Sequence, residues 1–222
     1  MSNGPLLRPG DRIVFVGDSI TADPEGYVSV CAQVLARAYP QGGIEVVNAG
    51  RPGETAADMA RRFEREALGP CPTWVAISAG VNDAALAAGR GALGARLEAA
   101  AAAIEDMCVA GEAAGVRVAL CTPTAFEDHW AGPAARANEF CAALAERLTD
   151  LATARGYVLV PMFAMCRRFA ETQDQTGLDA SRRWLTTDGV HMAPRGRYLM
   201  ALTMLAALRV GAGLDDTEER SS

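Results

Sequence analysis

Short apolar runs alternate with long helical patterns along this chain, and that alternation leaves few folds open. The runs are Ile13-Val14-Phe15-Val16, Ile44-Glu45-Val46-Val47, Trp74-Val75-Ala76-Ile77, Val116-Arg117-Val118-Ala119-Leu120 and Tyr157-Val158-Leu159-Val160. Each is β-branched or apolar and bounded by Gly, Pro or polar residues, which is how a strand reads. Between them lie Ala-, Arg-, Glu- and Leu-rich segments long enough for helices: Gly26–Tyr39, Thr55–Leu68, Leu93–Ala114, Pro133–Arg155 and Pro194–Val210. Gly115 and Gly156 each follow a helical pattern and precede a strand, where a left-handed helix stop belongs. Parallel neighbours need a crossover, so the alternation predicts an α/β fold with a parallel sheet and helices on both faces. Five strands in the order 2-1-3-4-5 are the expected arrangement, though the alternation itself does not set the order. The 222 residues are most simply one domain, with a core over about 12–210 and a polar tail over 212–222 that is expected to fray.

Sheets of this kind place ligands at the carboxyl ends of their strands. Residues just past each run therefore share one rim, however far apart they lie in sequence. After the first run comes Gly17-Asp18-Ser19-Ile20-Thr21, a tight turn that presents a hydroxyl. After the second comes Asn48-Ala49-Gly50-Arg51-Pro52-Gly53, read as a turn whose N–H groups can point into a crevice. After the third comes Gly80-Val81-Asn82-Asp83, where the Asn82 carboxamide can donate to a developing oxyanion. Near the end comes Asp188-Gly189-Val190-His191, where the carboxylate can accept from one ring nitrogen and leave the other facing outward as a base. Singly, each has an ordinary reading: Ser19 as a helix cap, Asn48 and Asn82 as turn residues, Asp188 as a turn cap. Together they are a nucleophile, a base with its orienter and oxyanion donors on one rim, which is the constellation of acyl transfer.

Gly17-Asp18-Ser19-Ile20, the Gly50 turn, Gly80-Val81-Asn82-Asp83 and Asp188-Gly189-Val190-His191 resemble the four motif blocks of the SGNH hydrolases, also called GDSL esterases/lipases. The order and wide spacing match over roughly 12–210, and Ile20 stands where the family name has Leu. The resemblance implies a three-layer flavodoxin-like sandwich and ester hydrolysis without a metal or other cofactor. It implies Ser19, Asp188 and His191 as the catalytic triad of a serine hydrolase. It also implies an oxyanion hole made by the N–H groups of Ser19 and Gly50 with the Asn82 side chain. Asp18, beside the nucleophile, and His129 and Trp130, in the stretch after the fourth run, are taken as substrate-side residues.

Two competing patterns carry less. Gly89-Arg90-Gly91-Ala92-Leu93-Gly94 fits a dinucleotide fingerprint but does not directly follow a strand, so it reads as a flexible entry to the next helix. The elbow G-x-S-x-G occurs neither at Ser19 nor at Ser78. A second stretch, Phe169 to Leu185, with Arg182 and Arg183, is expected to approach the site from the other side.

Charge and cysteine usage narrow the partners. A net charge of −6 with no basic stretch argues against a nucleic-acid or anionic-membrane binder. No stretch approaches the roughly 18 apolar residues of a membrane span, and Met1 to Gly10 lack a signal peptide's pattern. The six cysteines contain no Cys-x-x-Cys pair and only two histidines are present, so no metal site is expected and the thiols read as reduced and buried. The expectation is a cytoplasmic serine esterase acting on a small-molecule ester, with short acyl groups such as acetyl esters of carbohydrates favoured, and a homo-oligomer left open. An acyltransferase using the same three residues, or a non-catalytic small-molecule binding module on this scaffold, are the alternatives.

Overall fold

The computed structural model describes residues 4–90, 92–127, 133–176 and 183–211. The elements in order are β1 (Arg12–Gly17), α1 (Ser19–Ala22), α2 (Tyr27–Ala38), β2 (Glu45–Gly50), α3 (Ala56–Phe63), β3 (Trp74–Ser78), α4 (Val81–Arg90) and α5 (Leu93–Ala113). They continue with β4 (Arg117–Cys121), α6 (Pro133–Arg155), β5 (Val158–Val160), α7 (Met162–Thr176) and α8 (Pro194–Ala207). The strands form one sheet, all neighbours parallel, in the order β2-β1-β3-β4-β5 expected from the sequence.

Side chains alternate across the sheet and build two apolar layers. Val14, Val16, Val75, Ile77, Val118 and Leu120 face one layer, covered by α3, α5 and α6 through Met59, Phe63, Ile104, Met107, Phe140 and Leu144. Ile13, Phe15, Trp74, Ala76, Ala119 and Cys121 face the other, covered by α2 and α8 through Tyr27, Cys31, Leu35, Met200 and Met204. The central strands are buried on both faces, which is why they read as unbroken apolar runs rather than alternating ones. Gly115 and Gly156 have φ of +73° and +70°, the left-handed stops expected there.

Three expectations are corrected. The second strand does not end at Val47: parallel pairing runs on through Phe15↔Asn48, Val16↔Ala49 and Gly17↔Gly50, so Asn48–Gly50 are strand, not turn. Val81-Asn82-Asp83 form the first turn of helix α4, not a loop, because the chain bends at Gly80 (φ +112°) straight into a helix. Gly89 and Gly94 lie inside α4 and α5, not in a flexible entry, and Gly91 falls outside the described residues. Of the stretch Phe169 to Leu185, residues up to Thr176 belong to helix α7, and Arg182 lies outside the described residues. The segment expected as one helix over 55–68 is helical, but its last turn, Glu64–Leu68, widens to a π-helix.

Candidate active site

β1 ends at Gly17, and Ser19 opens the one-turn helix α1. Asp18 is its N-cap, with a side-chain oxygen accepting from Ile20 N–H at 2.9 Å. As the first helical residue, Ser19 has a backbone N–H with no acceptor inside the helix. A glycine is required beneath it. A Cβ on Gly50 would strike Ala22 N and lie 2.8 Å from Ala22 Cα, so α1 rests directly on the end of β2.

His191 reaches Ser19 from 172 residues away: Nε2 stands 2.9 Å from Oγ. Its Nδ1 lies 2.7 Å from Asp188 Oδ2, and Asp188 Oδ1 accepts from Val190 N–H at 3.0 Å and His191 N–H at 2.8 Å. Partial desolvation pushes the Asp188 carboxyl up, but the bonds from the His191 ring, His191 N–H and Val190 N–H outweigh it and hold the group at about 2. An ionised carboxylate only accepts, so Nδ1 carries the proton and Nε2 turns a lone pair to Ser19.

The other expected residues are distributed as follows. Asn82 Nδ2 donates to Glu54 O at 2.8 Å and keeps a second amide hydrogen beyond that bond. Gly50 N–H donates to Asn48 Oδ1 at 2.9 Å, while Asn48 Nδ2 donates to Thr21 O at 2.7 Å. Asp18 is buried, and its carboxyl is raised to about 6, chiefly by desolvation, against the bond from Ile20 and the attraction of His191. His129 and Trp130 lie outside the described residues. Among the described residues, no three His, Cys, Asp or Glu side chains gather as a metal site needs. No described helix is long and apolar enough to cross a membrane.

Supporting residues appear that sequence reading passed over. Arg62, 5% exposed, pairs with Glu54 Oε2 at 2.7 Å and Glu66 Oε2 at 3.2 Å, and its Nη2 lies 3.4 Å from Gly17 O. Glu54 thus touches both sides of the site: its carbonyl holds Asn82 and its carboxylate holds the arginine beneath Gly17. Asp83, its carboxyl raised by desolvation, accepts from Ala56 N–H at 3.0 Å and ties α4 to α3. Glu127, just past β4, accepts from the backbone of the segment that carries Asp188. Its only sequence signal was an acidic residue after a strand end on the rim.

A parallel sheet of order 2-1-3-4-5 with a Ser–His–Asp row at its carboxyl edge defines the class: a flavodoxin-like α/β protein with a hydroxyl, an imidazole and a carboxylate in line. The chain belongs to the GDSL-like lipase/acylhydrolase family, which it matches over residues 15–198. It is 39% identical over 91 residues to an acetylxylan esterase of Geobacillus stearothermophilus, a match spanning 35% of this chain and 42% of that protein. The fold is that of a crystal structure of acetylxylan esterase from the same organism, with TM-score 0.73, 24% identity, and 94% and 96% of the two chains covered. It is also similar to an alpha/beta hydrolase enzyme from the metagenome of Lake Arreo, Spain, with TM-score 0.77, 22% identity, and 92% and 98% covered.

Proposed function

We propose that this protein is a serine ester hydrolase that removes short acyl groups, acetyl above all, from carbohydrate esters, with the chain acting as one catalytic domain. The observation that carries the reading is the row Ser19 Oγ, His191 Nε2, Nδ1, Asp188 Oδ2, with links of 2.9 and 2.7 Å. The acetyl and carbohydrate preference is supported by the partial match to an acetylxylan esterase.

In this reading Ser19 Oγ attacks the ester carbonyl carbon while His191 Nε2 takes the hydroxyl proton. Asp188 keeps the ring oriented and stabilises the imidazolium. The oxyanion is received by Ser19 N–H and the second Asn82 amide hydrogen, with Gly50 N–H as the third donor, shared with or turned from Asn48 Oδ1. The intermediate collapses, the C–O bond to the alcohol breaks, and His191 returns its proton to the leaving oxygen. Water then attacks acyl-Ser19, giving up a proton to Nε2, and the acid leaves as Oγ recovers that proton. None of these steps draws on a metal or cofactor. Six free thiols suit a reducing compartment, and we place the protein in the cytoplasm.

Rates across p-nitrophenyl acyl esters and acetate release from acetylated xylo-oligosaccharides test the reading, with Ser19→Ala alongside. The expected result is a short-chain maximum, acetate release and a fall in kcat on the order of 10⁴-fold or more in the variant, with folding intact. Undiminished turnover by Ser19→Ala overturns the mechanism, and a long-chain maximum overturns the substrate class.

A further inference from the structure

The segment carrying Asp188 and His191 has little regular structure of its own. Over residues 183–193 it forms neither helix nor strand, only the bridge Thr186↔Met192. Its distance from Ser19 must be imposed from outside. Glu127 does this from the segment that follows β4, six residues past Cys121. Oε1 accepts from Trp184 N–H at 2.5 Å and Leu185 N–H at 2.8 Å. Oε2 accepts from Thr186 N–H at 2.7 Å and Thr186 Oγ1 at 2.6 Å. Three consecutive backbone N–H groups and a hydroxyl converging on one carboxylate make an anion nest, here filled from within the chain. The joint is closed twice more: Glu127 N–H donates to Gly189 O at 3.0 Å, and Gly189 N–H to Thr186 Oγ1 at 3.1 Å. Both residues that bracket the Asp188 turn are thereby tied to the rim of the sheet.

We infer that Glu127 is a positioning residue, whose carboxylate sets the separation of His191 Nε2 from Ser19 Oγ by holding the backbone of residues 184–186. The inference rests on the reading of Ser19, His191 and Asp188 given above. The requirement is for a group that only accepts. In Glu127→Gln, whichever way the amide turns, its NH2 meets at least one backbone N–H, and the segment must move away. Asp188 and His191 sit on the same turn and move as a unit, so their mutual bond survives while the gap to Ser19 widens. A displacement near 1 Å costs up to about 10²-fold in rate.

The test is hydrolysis of p-nitrophenyl acetate by Glu127→Gln, Glu127→Asp and Ser19→Ala, with proton NMR of the His191 Nδ1–H bonded to Asp188. For Glu127→Gln, kcat is expected to fall by about 10- to 100-fold with KM nearly unchanged and the low-field resonance retained. Glu127→Asp, still acceptor-only, should lose less. Unchanged kcat, an effect on KM alone, or loss of the resonance together with kcat overturns the inference, the last because the turn has then melted rather than shifted. Should Glu127→Gln fail to fold, Thr186→Val, which removes the hydroxyl joining Glu127 to Gly189, is judged by the same criteria. A dead Ser19→Ala beside an undiminished Glu127→Gln removes this inference alone. An active Ser19→Ala removes the site reading and this inference with it.

Discussion

Asp18 stands beside Ser19 and is 4% exposed, an expensive place for a carboxylate. Desolvation lifts its carboxyl to about 6, against roughly 3.9 in an unfolded chain. Between those values the folded protein holds a proton that the unfolded chain has released. Stability therefore falls as pH rises from about 4 to about 6, and the full cost, about 3 kcal/mol, is present above pH 6. Asp18→Asn keeps an oxygen for Ile20 N–H and carries no charge. It is expected to raise the melting temperature at pH 7.5 by about 6–12 °C and to change it little at pH 4, as thermal unfolding at the two values would read. An equal shift at both pH values would mean that burial of the charge is not the cause. Asn82 acts through its amide. Asn82→Ala removes both the proposed oxyanion donor and the tie to Glu54 O, and kcat for p-nitrophenyl acetate is expected to fall on the order of 10²–10³-fold.

At the scale of elements, the site is made by strand ends that continue into helices. β1 and β2 finish side by side at Gly17↔Gly50, and α1 lies across them with no room for a methyl group. Gly50→Ala must push Ala22 and with it the helix that begins at Ser19. We expect lower thermal stability by about 1–3 kcal/mol and a matching loss of kcat, read by denaturant unfolding and ester hydrolysis on the same sample. A variant with native activity would show that α1 can shift without carrying Ser19 along. The strands were legible because central parallel strands are apolar on both sides. The three short or mixed helices were not. α1 and the start of α4 share their residues with the motif blocks, so Ser19 and Asn82 read as turn residues when they are helical. α7 begins with the buried Met162, Phe163 and Cys166, but its second half, from Glu171, is polar without an apolar period. The row of Ser19, His191 and Asp188 could be read from residue type and position on the rim. Glu127 and Arg62 could not, because their partners are defined by which backbone groups the fold leaves facing them.

For the whole molecule, the two apolar layers divide the thiols between them. Cys108, Cys141 and Cys166 lie in the layer under α5 and α6, and Cys31 and Cys121 in the layer under α2 and α8. Desolvation raises the thiols of Cys31 and Cys108 to about 12 and that of Cys166 to about 11, and moves Cys121 and Cys141 upward as well. A thiol attacks a disulfide reagent as its thiolate, and these five are both protonated and out of reach at neutral pH. Cys71 alone is exposed. In the native protein one thiol should therefore react rapidly with an aromatic disulfide reagent, and six should react after denaturation. Cys71→Ser should abolish the fast phase and leave ester hydrolysis unchanged, since Cys71 lies just before β3, at the edge of the sheet opposite the site. The slow phase of the native protein then measures opening of the layers, and its rate should follow global stability across variants such as Gly50→Ala. Two or more fast thiols in the native protein would mean that one layer is open to solvent, and the two-layer core described here would be wrong in that half.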